Sequence, residues 1–265
     1  MYAFTYHKPA SLAEAASLAG KHAEGKVMAG GMTLLPTMKQ RLASPSDIID
    51  MGKLDELRGI KVDGGFVVIG AMTRHVAVAT SDAVKKAIPA LAALAGGIGD
   101  PAVRNRGTIG GSVANNDPAA DYPAACLALG ATITTNKRSI AADDFFTGLF
   151  ETALGEGEII TSITFPIPDK ANYQKFRNPA SRYAIVGVFV AKKGSNVRVA
   201  VTGAGSSGVF RQKDFEAALS ANFSASALDG KSQSQSGLNT DIHADAEYRA
   251  HLIGVMAKRA VAAAG

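Results

Sequence analysis

Two short stretches of the chain combine paired glycines with a hydroxyl side chain, a combination suited to holding a phosphate. Residues 29–34 read A-G-G-M-T-L, and residues 108–112 read T-I-G-G-S. Glycine lets a ligand approach the backbone closely, and a helix that begins there presents N–H groups without internal partners. Either stretch alone could be an ordinary tight turn, but the two together favour a shared site for a diphosphate.

The second stretch continues into a polar segment that could hold hydroxyl groups. Between Gly107 and Asp121 the chain carries Asn115, Asn116 and Asp117 and shows no helical or strand periodicity. A carboxylate accepts hydrogen bonds from sugar or ribityl hydroxyls, and an amide both donates and accepts. We therefore predict a long loop, which is either functional or a series of Asx turns.

A third stretch, Gly203–Gly208, has the G-x-G-x-x-G spacing of a dinucleotide-binding loop. The strand before it, Asn196–Thr202, follows a Lys193-Gly194-Ser195 turn and is predicted to belong to an antiparallel hairpin. The sequence also lacks a second parallel strand that ends in a ribose-binding acid about 20 residues later. We interpret the stretch as a glycine-rich exit from an antiparallel sheet, with an NAD-dependent dehydrogenase as an alternative.

The elements that must position these stretches form an α+β fold. Residues 1–58 show the order α-β-turn-α-β, which favours parallel pairing, and residues 59–168 contain a second unit of helices and strands. Pro166 and Pro168 mark a boundary, after which residues 169–265 are predicted to form a three-stranded antiparallel sheet and two helices. The predicted elements of this last segment are the strands Tyr173–Arg177, Ala184–Ala191 and Asn196–Thr202 and the helices Gln212–Leu219 and Ala244–Ala262.

Helical spacing also predicts core positions within these elements. Tyr248, Leu252, Val255 and Met256 recur at i, i+4, i+7 and i+8 and are predicted to form a core-facing stripe on the last helix. An apolar run at Tyr122–Leu129 predicts a helix directly after the second glycine stretch.

Composition narrows the class of protein. The 28 Lys and Arg residues and 23 Asp and Glu residues give a net charge of +5, and the basic residues are scattered, which disfavours nucleic-acid binding. The single cysteine, Cys126, excludes an intramolecular disulfide and a cysteine-bound metal cluster and is predicted to be a buried thiol. The five histidines show no metal-ligand spacing, and we assign none of them a catalytic role. No window approaches the ~18 consecutive apolar residues of a membrane span, and we expect a cytoplasmic protein.

In their wider context, the glycine stretches resemble the flavin-binding loops of the molybdenum hydroxylase flavoproteins, above all the medium subunits related to that of aerobic carbon monoxide dehydrogenase. The matching segments are A-G-G-M-T-L-L-P at 29–36, R-N-R-G-T-I-G-G-S and D-P-A-A-D within 104–121, and F-R-N-P-A-S-R-Y-A-I-V-G-V at 176–188. The resemblance extends over essentially the whole chain. It implies an FAD-binding fold of the vanillyl-alcohol-oxidase/PCMH type, in which two α/β subdomains (about 1–58 and 59–168) clasp FAD and a C-terminal domain (169–265) covers the flavin.

The resemblance also implies which residues bind the cofactor. The two glycine stretches would hold the diphosphate, largely through backbone N–H groups, and Asp121 would bind a hydroxyl of FAD. Arg177 would lie near the flavin ring and Tyr183 against one of its faces, although Arg177 could instead be a surface strand residue and Tyr183 a core aromatic. The candidate cofactor-binding residues are Ala29, Gly30, Gly31, Met32, Thr33, Leu34, Thr108, Ile109, Gly110, Gly111, Ser112, Asp121, Arg177 and Tyr183.

The chain departs from the family pattern at three points. Met32 stands where Gln or His is frequent, and Ser112 where Asn is common, so side-chain contacts at these two positions are expected to differ. The cysteine-bearing insertion of the hydroxybenzoyl-CoA reductase branch is missing, and we expect no iron–sulfur cluster and no metal on this chain.

The resemblance implies a subunit of a larger enzyme. A large subunit with a molybdenum–pterin centre would oxidise the substrate, and a small subunit with two [2Fe-2S] clusters would relay electrons to FAD on this chain, in a dimer of heterotrimers. We assign no catalytic acid or base here. The alternatives are a free-standing FAD oxidase or dehydrogenase of the same fold, which usually has a longer substrate domain, and a structural subunit without flavin, against which the intact glycine stretches argue.

Overall fold

In the computed structural model, which describes residues 1–264, the chain begins with a small parallel sheet. This part contains, in chain order, strand β1 (Thr5–His7), helix α1 (Leu12–Lys21), strand β2 (Lys26–Met28), helix α2 (Leu34–Lys39) and strand β3 (Asp47–Asp50). The strands lie in the order β1-β3-β2, and both pairs are parallel, as predicted. The first glycine stretch lies where β2 ends and α2 begins.

A second, five-stranded sheet follows, and each of its pairings is antiparallel. Its elements in chain order are β4 (Ile60–Asp63), β5 (Phe66–Gly70), α3 (His75–Thr80), α4 (Asp82–Ala87), α5 (Pro89–Gly96), α6 (Pro101–Arg106), α7 (Ile109–Asn115), α8 (Tyr122–Leu129), β6 (Thr132–Thr135), β7 (Ser139–Ala141), α9 (Ala142–Phe145), β8 (Phe146–Gly148), β9 (Glu151–Thr152) and β10 (Ile160–Pro166). The sheet order is β4-β5-β10-β6-β7, and β8 and β9 form a separate hairpin.

The long loop predicted between Gly107 and Asp121 is wrong, because α7 occupies half of this segment. The Thr108 hydroxyl accepts a hydrogen bond from the N–H of Gly111 at 3.1 Å and caps the helix. The apolar face of α7 consists of Ile109 and Val113, both fully buried. Two apolar residues are too few to show a helical period in the sequence. Asn116 ends the helix in the left-handed conformation, with φ of 43°.

The remaining chain forms a third sheet and two long helices. Its elements are β11 (Lys170–Arg177), β12 (Ala184–Lys193), β13 (Asn196–Thr202), β14 (Phe210–Arg211), α10 (Lys213–Ala221) and α11 (Ala246–Ala263). The predicted antiparallel hairpin is confirmed, since Lys193 pairs with Asn196 and Gly194 takes φ of +57° in the turn. The sheet has four strands where three were predicted, because β14 is only two residues long and carries no strand pattern.

Helix α8 joins the second and third sheets into one core. All eight of its residues are buried, and it packs against β10, β12 and β13. Cys126 lies on this helix, fully buried as predicted, and burial raises the pKa of its thiol. A helix that is apolar all round has neighbours on every side, which accounts for its sequence.

The predicted stripe on α11 is confirmed for Leu252 and Met256, which are buried against the third sheet. It is wrong for Tyr248, which is 43% exposed and covers the edge of the Phe176 ring, with 6.0 Å between the two ring centroids. None of the helices within residues 1–264 combines the length and apolar character that a bilayer-crossing segment needs.

Candidate cofactor-binding site

The two glycine stretches lie against each other. A Cβ atom added to Gly30 would come within 2.1 Å of the carbonyl oxygen of Arg106, and one added to Gly111 would come within 3.2 Å of the Ala29 Cβ. Only glycine at position 30 therefore lets the two backbones approach this closely. The stretches form the wall of a cavity of about 840 Å³, a volume within the range of small-molecule sites.

The cavity brings together most of the residues that the sequence singled out. The residues of that set that line it are Ala29, Gly30, Gly31, Met32, Thr33, Leu34, Thr108, Gly110, Gly111, Ser112, Asp121 and Tyr183. Ile109 and Arg177 do not line it: Ile109 is fully buried in the core, and Arg177 is an exposed residue at the end of β11. Of the polar residues after the second stretch, Asn115 and Asp117 reach the cavity and Asn116 does not.

The first stretch offers unpaired backbone donors. Gly31 adopts φ of +73°, which turns the chain from β2 into α2. Within residues 1–264, the N–H groups of Gly31, Met32 and Thr33 donate to no protein acceptor. The Thr33 hydroxyl also makes no capping hydrogen bond. Adjacent N–H groups that face a cavity form an anion-binding nest, so this stretch fits a diphosphate.

The second stretch differs, because its backbone donors are already used. The N–H of Ile109 donates to Thr73 O at 3.0 Å, and the N–H of Gly110 donates to Ala71 O at 2.8 Å. Together with the cap that Thr108 makes to Gly111, these bonds hold the start of α7 against the second sheet. The second stretch therefore presents to the cavity a close-packed backbone wall and the half-buried Ser112.

Asp121 lines the cavity and belongs to a buried ionic network. Its carboxylate accepts hydrogen bonds from the Tyr173 hydroxyl and from Lys175 Nζ, which lies 3.0 Å away and also donates to Gly97 O. Burial raises the pKa of Asp121, and the Lys175 ammonium and the Tyr173 hydroxyl counter that shift by stabilising the carboxylate. With two donors already bound, Asp121 keeps free lone pairs for a ligand hydroxyl.

Tyr183 is presented to the cavity by a tight turn. Ser181 and Arg182 take left-handed φ values of 65° and 59°, and Asn178, only 3% exposed, closes the turn. The Asn178 amide donates to the Tyr183 hydroxyl at 2.9 Å, and the Asn178 N–H donates to Tyr183 O at 2.9 Å. The half-buried Tyr183 ring therefore has a fixed place at the cavity wall.

His75 and Phe150 are among the residues that line the cavity and that the sequence did not single out. His75 begins α3 and is only 4% exposed, and its Nδ1 atom has no hydrogen-bond partner within residues 1–264. Burial, with a smaller contribution from the Arg104 charge, lowers the pKa of His75 to about 4, so the imidazole is neutral at pH 7. Neither residue carried a signal, since the chemistry of a single histidine or phenylalanine depends on where the fold places it.

Phe150 lies at the tip of the hairpin formed by β8 and β9. It is 55% exposed and takes φ of 56°. Buried Asn116 donates through Nδ2 to Gly148 O at 2.9 Å and to Glu151 O at 2.8 Å. The end of α7 thus fixes the hairpin beside the cavity.

The third glycine stretch supports the site without lining it. The N–H of Gly203 donates to Pro118 O at 2.7 Å, and the Thr202 hydroxyl lies within 3.0 Å of Pro118 O and 2.6 Å of Ala120 O. The strand before it is antiparallel, as predicted, and no helix begins at Gly208. The stretch therefore anchors the polar segment before Asp121 to the third sheet.

Comparisons with known proteins agree with this geometry. Residues 2–168 match the family described as the FAD binding domain in molybdopterin dehydrogenase. The carbon monoxide dehydrogenase medium chain of Hydrogenophaga pseudoflava is 36% identical over 98% of this chain and 96% of its own length. The nicotine 6-hydroxylase medium subunit of Paenarthrobacter nicotinovorans is also 36% identical, over 99% of this chain and 98% of its own.

The fold agrees as well. A chain from the structure of reconstituted CO dehydrogenase from Oligotropha carboxidovorans superposes with a TM-score of 0.89, at 32% identity, over 99% of this chain and 98% of that one. The matching domain binds FAD, and the relatives are subunits of molybdenum-dependent oxidoreductases. The chain therefore belongs to the family of FAD-binding medium subunits of the molybdenum hydroxylases, as its glycine stretches and their shared cavity indicate.

Proposed function

We propose that this chain binds FAD in the cavity between its two glycine stretches and acts as the electron-transfer subunit of a heterotrimeric molybdenum hydroxylase. It would take electrons from a [2Fe-2S] subunit and pass them to an external acceptor. The observation that carries the proposal is the cavity of about 840 Å³, which is lined by residues with unpaired N–H groups, by a buried carboxylate and by an aromatic ring.

The residues of the chain bind and orient the cofactor. The N–H groups of Gly31, Met32 and Thr33 would hold the diphosphate, with Ser112 beside it. Asp121, whose carboxylate accepts a hydrogen bond from Lys175, would accept another from a hydroxyl of FAD. Tyr183 would lie against the flavin, because the closed turn at Asn178 leaves its ring little freedom.

Two further residues complete the proposed site. Neutral His75 offers a nitrogen that can donate or accept a hydrogen bond without adding charge beside the diphosphate. Phe150 would limit water access from the hairpin side, since it lines the cavity while Asn116 holds the carbonyls of Gly148 and Glu151 on either side of it. Burial raises the pKa of Asp121, and the nearby positive charge of Arg177 opposes that shift. Arg177 would therefore affect the site through the Asp121 carboxyl and not by lining the cavity.

FAD, when bound, supplies a redox centre, and the protein supplies its position and electrostatic surroundings. No acid or base on this chain is required, because the substrate would be oxidised on the molybdenum subunit. We further propose that residues 1–168 and 169–265 are the two domains of the chain, which is supported by the extent of the matched FAD-binding domain, residues 2–168.

The proposal is tested on the complex formed when this chain is co-expressed with its large and small partner subunits. We expect the purified complex to show the visible absorbance of bound FAD and to lose it on anaerobic addition of the substrate that the molybdenum subunit oxidises. The isolated chain, loaded with FAD, should show no such bleaching with the same substrate. The measurement is the visible spectrum with and without the partner subunits.

The free-standing oxidase makes the opposite prediction. If the isolated chain turned over a small alcohol with its own FAD, the electron-transfer role would be wrong and the FAD site right. If neither the chain nor the complex retained FAD, the site itself would be wrong.

A further inference from the structure

Two histidines and an aspartate from three separate elements meet beside the first sheet. His7 is the last residue of β1, His22 follows α1, and Asp47 is the first residue of β3. His7 Nε2 lies 2.6 Å from Asp47 Oδ1, and His22 Nδ1 lies 3.2 Å from Asp47 Oδ2. None of the three lines the FAD cavity, so this cluster is separate from the proposed cofactor site.

The donor atoms suit a transition metal ion. The nearest ligand atoms of the three side chains all lie within 4.8 Å of one another, and the imidazole centroids are 5.2 Å apart. Zinc binds imidazole nitrogen and carboxylate oxygen at roughly 2.0–2.2 Å, so small side-chain rotations bring all three atoms onto one ion. Two nitrogens and one oxygen favour zinc and its neighbours over magnesium or calcium, which prefer oxygen ligands.

The burial of the three side chains also favours metal binding. The Asp47 side chain is only 9% exposed, and its partners at ion-pair distance within residues 1–264 are these two histidines. The imidazoles are 22% and 34% exposed, which leaves a side open for a water molecule to complete the coordination.

The surrounding backbone holds the ligands in place. The Ser46 hydroxyl donates to Asp47 Oδ2 at 2.7 Å. The N–H of His22 donates to Leu18 O at 3.1 Å, and His22 O accepts from the N–H of Gly25 at 2.8 Å. Partners that orient ligands in this way are a usual feature of metal sites.

We propose that His7, His22 and Asp47 bind one divalent transition metal ion, with zinc as the test ion, and that this ion ties β1 and α1 to β3. Metal binding at His7 Nε2 replaces the hydrogen bond to Asp47, and the proton on that nitrogen moves to Nδ1 when the imidazole is neutral or to solvent when it is protonated. Residues 7, 22 and 47 are far apart in the sequence, which explains why their spacing showed no ligand motif.

The test uses the full FAD-loaded chain, stripped of metals with a chelator and titrated with Zn²⁺ by calorimetry. We expect one zinc per chain. The His7→Ala and His22→Ala variants should each weaken zinc binding by roughly tenfold or more, since even partners of the ligands affect affinity by about 10–100-fold. Ser46→Ala should weaken it less. His251→Ala, which removes an exposed histidine on α11, is the matched control and should bind zinc as the unmodified chain does.

Flavin absorbance should be equal in all these variants, which separates the metal site from the FAD site. Zinc should raise the melting temperature of the unmodified chain and leave that of the His7→Ala, His22→Ala double variant unchanged. The proposal is overturned if the unmodified chain binds no zinc, if the double variant binds it equally well, or if His251→Ala abolishes binding. In the first case the cluster is an ion pair only.

Discussion

At the scale of single residues, the glycines of the two stretches meet different demands. Gly30 allows the two backbones to touch, Gly31 supplies a left-handed turn, and Gly110 sits against Ala71, whose Cβ would be 2.5 Å from an added Cβ. A bulky residue at Gly110 would therefore collide with protein before it met a ligand. A test of phosphate binding belongs at a residue whose side chain faces the cavity.

Thr33 meets that requirement. We expect Thr33→Asp to reduce FAD affinity by roughly tenfold or more, because near a protein surface a carboxylate beside a diphosphate is repelled by about 1–4 kcal/mol. Thr33→Ser should retain FAD. The measurement is the flavin-to-protein absorbance ratio after gel filtration, with the exposed Ser139→Asp on β7 as the control for added charge. Full FAD retention by Thr33→Asp would contradict the assignment of the first stretch.

His75 makes stability depend on pH. An unfolded histidine takes up a proton below about pH 6.5, whereas the buried His75 does so only near its pKa of about 4. The unfolded chain therefore binds more protons between these values, and the free energy of unfolding falls on acidification through this window by up to about 3 kcal/mol. His75→Leu should remove this part of the pH dependence in urea unfolding measured from pH 7 to pH 4. An unchanged slope, with exposed His251→Leu as control, would show that His75 is not buried as neutral imidazole.

At the scale of elements, one asparagine holds the β8–β9 hairpin against the end of α7. Asn116 is 1% exposed, ends α7 in the left-handed conformation and donates to two hairpin carbonyls. The hairpin makes no pairing with the three main sheets. Its place over the cavity therefore depends on this side chain and on the packing of Phe146.

We expect Asn116→Ala to lower the free energy of unfolding by about 2–4 kcal/mol, since two hairpin carbonyls lose their hydrogen-bond donor and alanine is strained at positive φ. Asn116→Gly loses the same hydrogen bonds without the strain and should be about 1 kcal/mol less destabilised. Both variants should bind FAD more weakly than the unmodified chain. Denaturant titrations and flavin retention measure the two effects, and normal stability in Asn116→Gly would rule out the hydrogen bonds as the cause.

At the scale of the whole molecule, the second and third sheets share one core through α8. Phe189 and Ala191 of β12 and Ala200 of β13 belong to the same buried cluster as α8 and the second sheet. The network of Asp121 with Tyr173 and Lys175 crosses the same boundary. The two proposed domains therefore meet over an apolar surface and a buried ion pair.

A fragment of residues 1–168 should consequently fail to behave as an independent domain. Without β12 and β13, α8 would expose apolar side chains, and Asp121 would lose its ammonium partner in a buried place. We expect the fragment to aggregate or to bind no FAD, whereas mixing it with a fragment of residues 169–265 should restore some flavin binding. Gel filtration and visible absorbance report the outcome, and a monomeric fragment that binds FAD fully would refute the shared core.

The sequence by itself determined the class of the molecule. Paired glycines beside hydroxyls, the parallel first unit and the hairpin at Gly194 are local patterns that depend on neighbouring residues, and the structure confirms the parallel pairing and the hairpin. The antiparallel setting of Gly203–Gly208 also follows from neighbours alone. Such elements can be predicted from the sequence because turn formation and strand alternation involve only a few consecutive residues.

Only the tertiary structure decided which parts of the site have hydrogen-bond donors free for a ligand. In the sequence the two glycine stretches are equivalent. In the structure the N–H of Gly110 donates to a backbone carbonyl, whereas the N–H of Gly31 has no protein acceptor within residues 1–264. Helix α7 was hidden because its stability comes from a cap and two buried side chains and not from a periodic face. The sequence did not predict the roles of His75 and Phe150 or the cluster of His7, His22 and Asp47, and the reason is the same for all of them. Burial and proximity between residues far apart in the chain arise from packing, which no short stretch of sequence encodes.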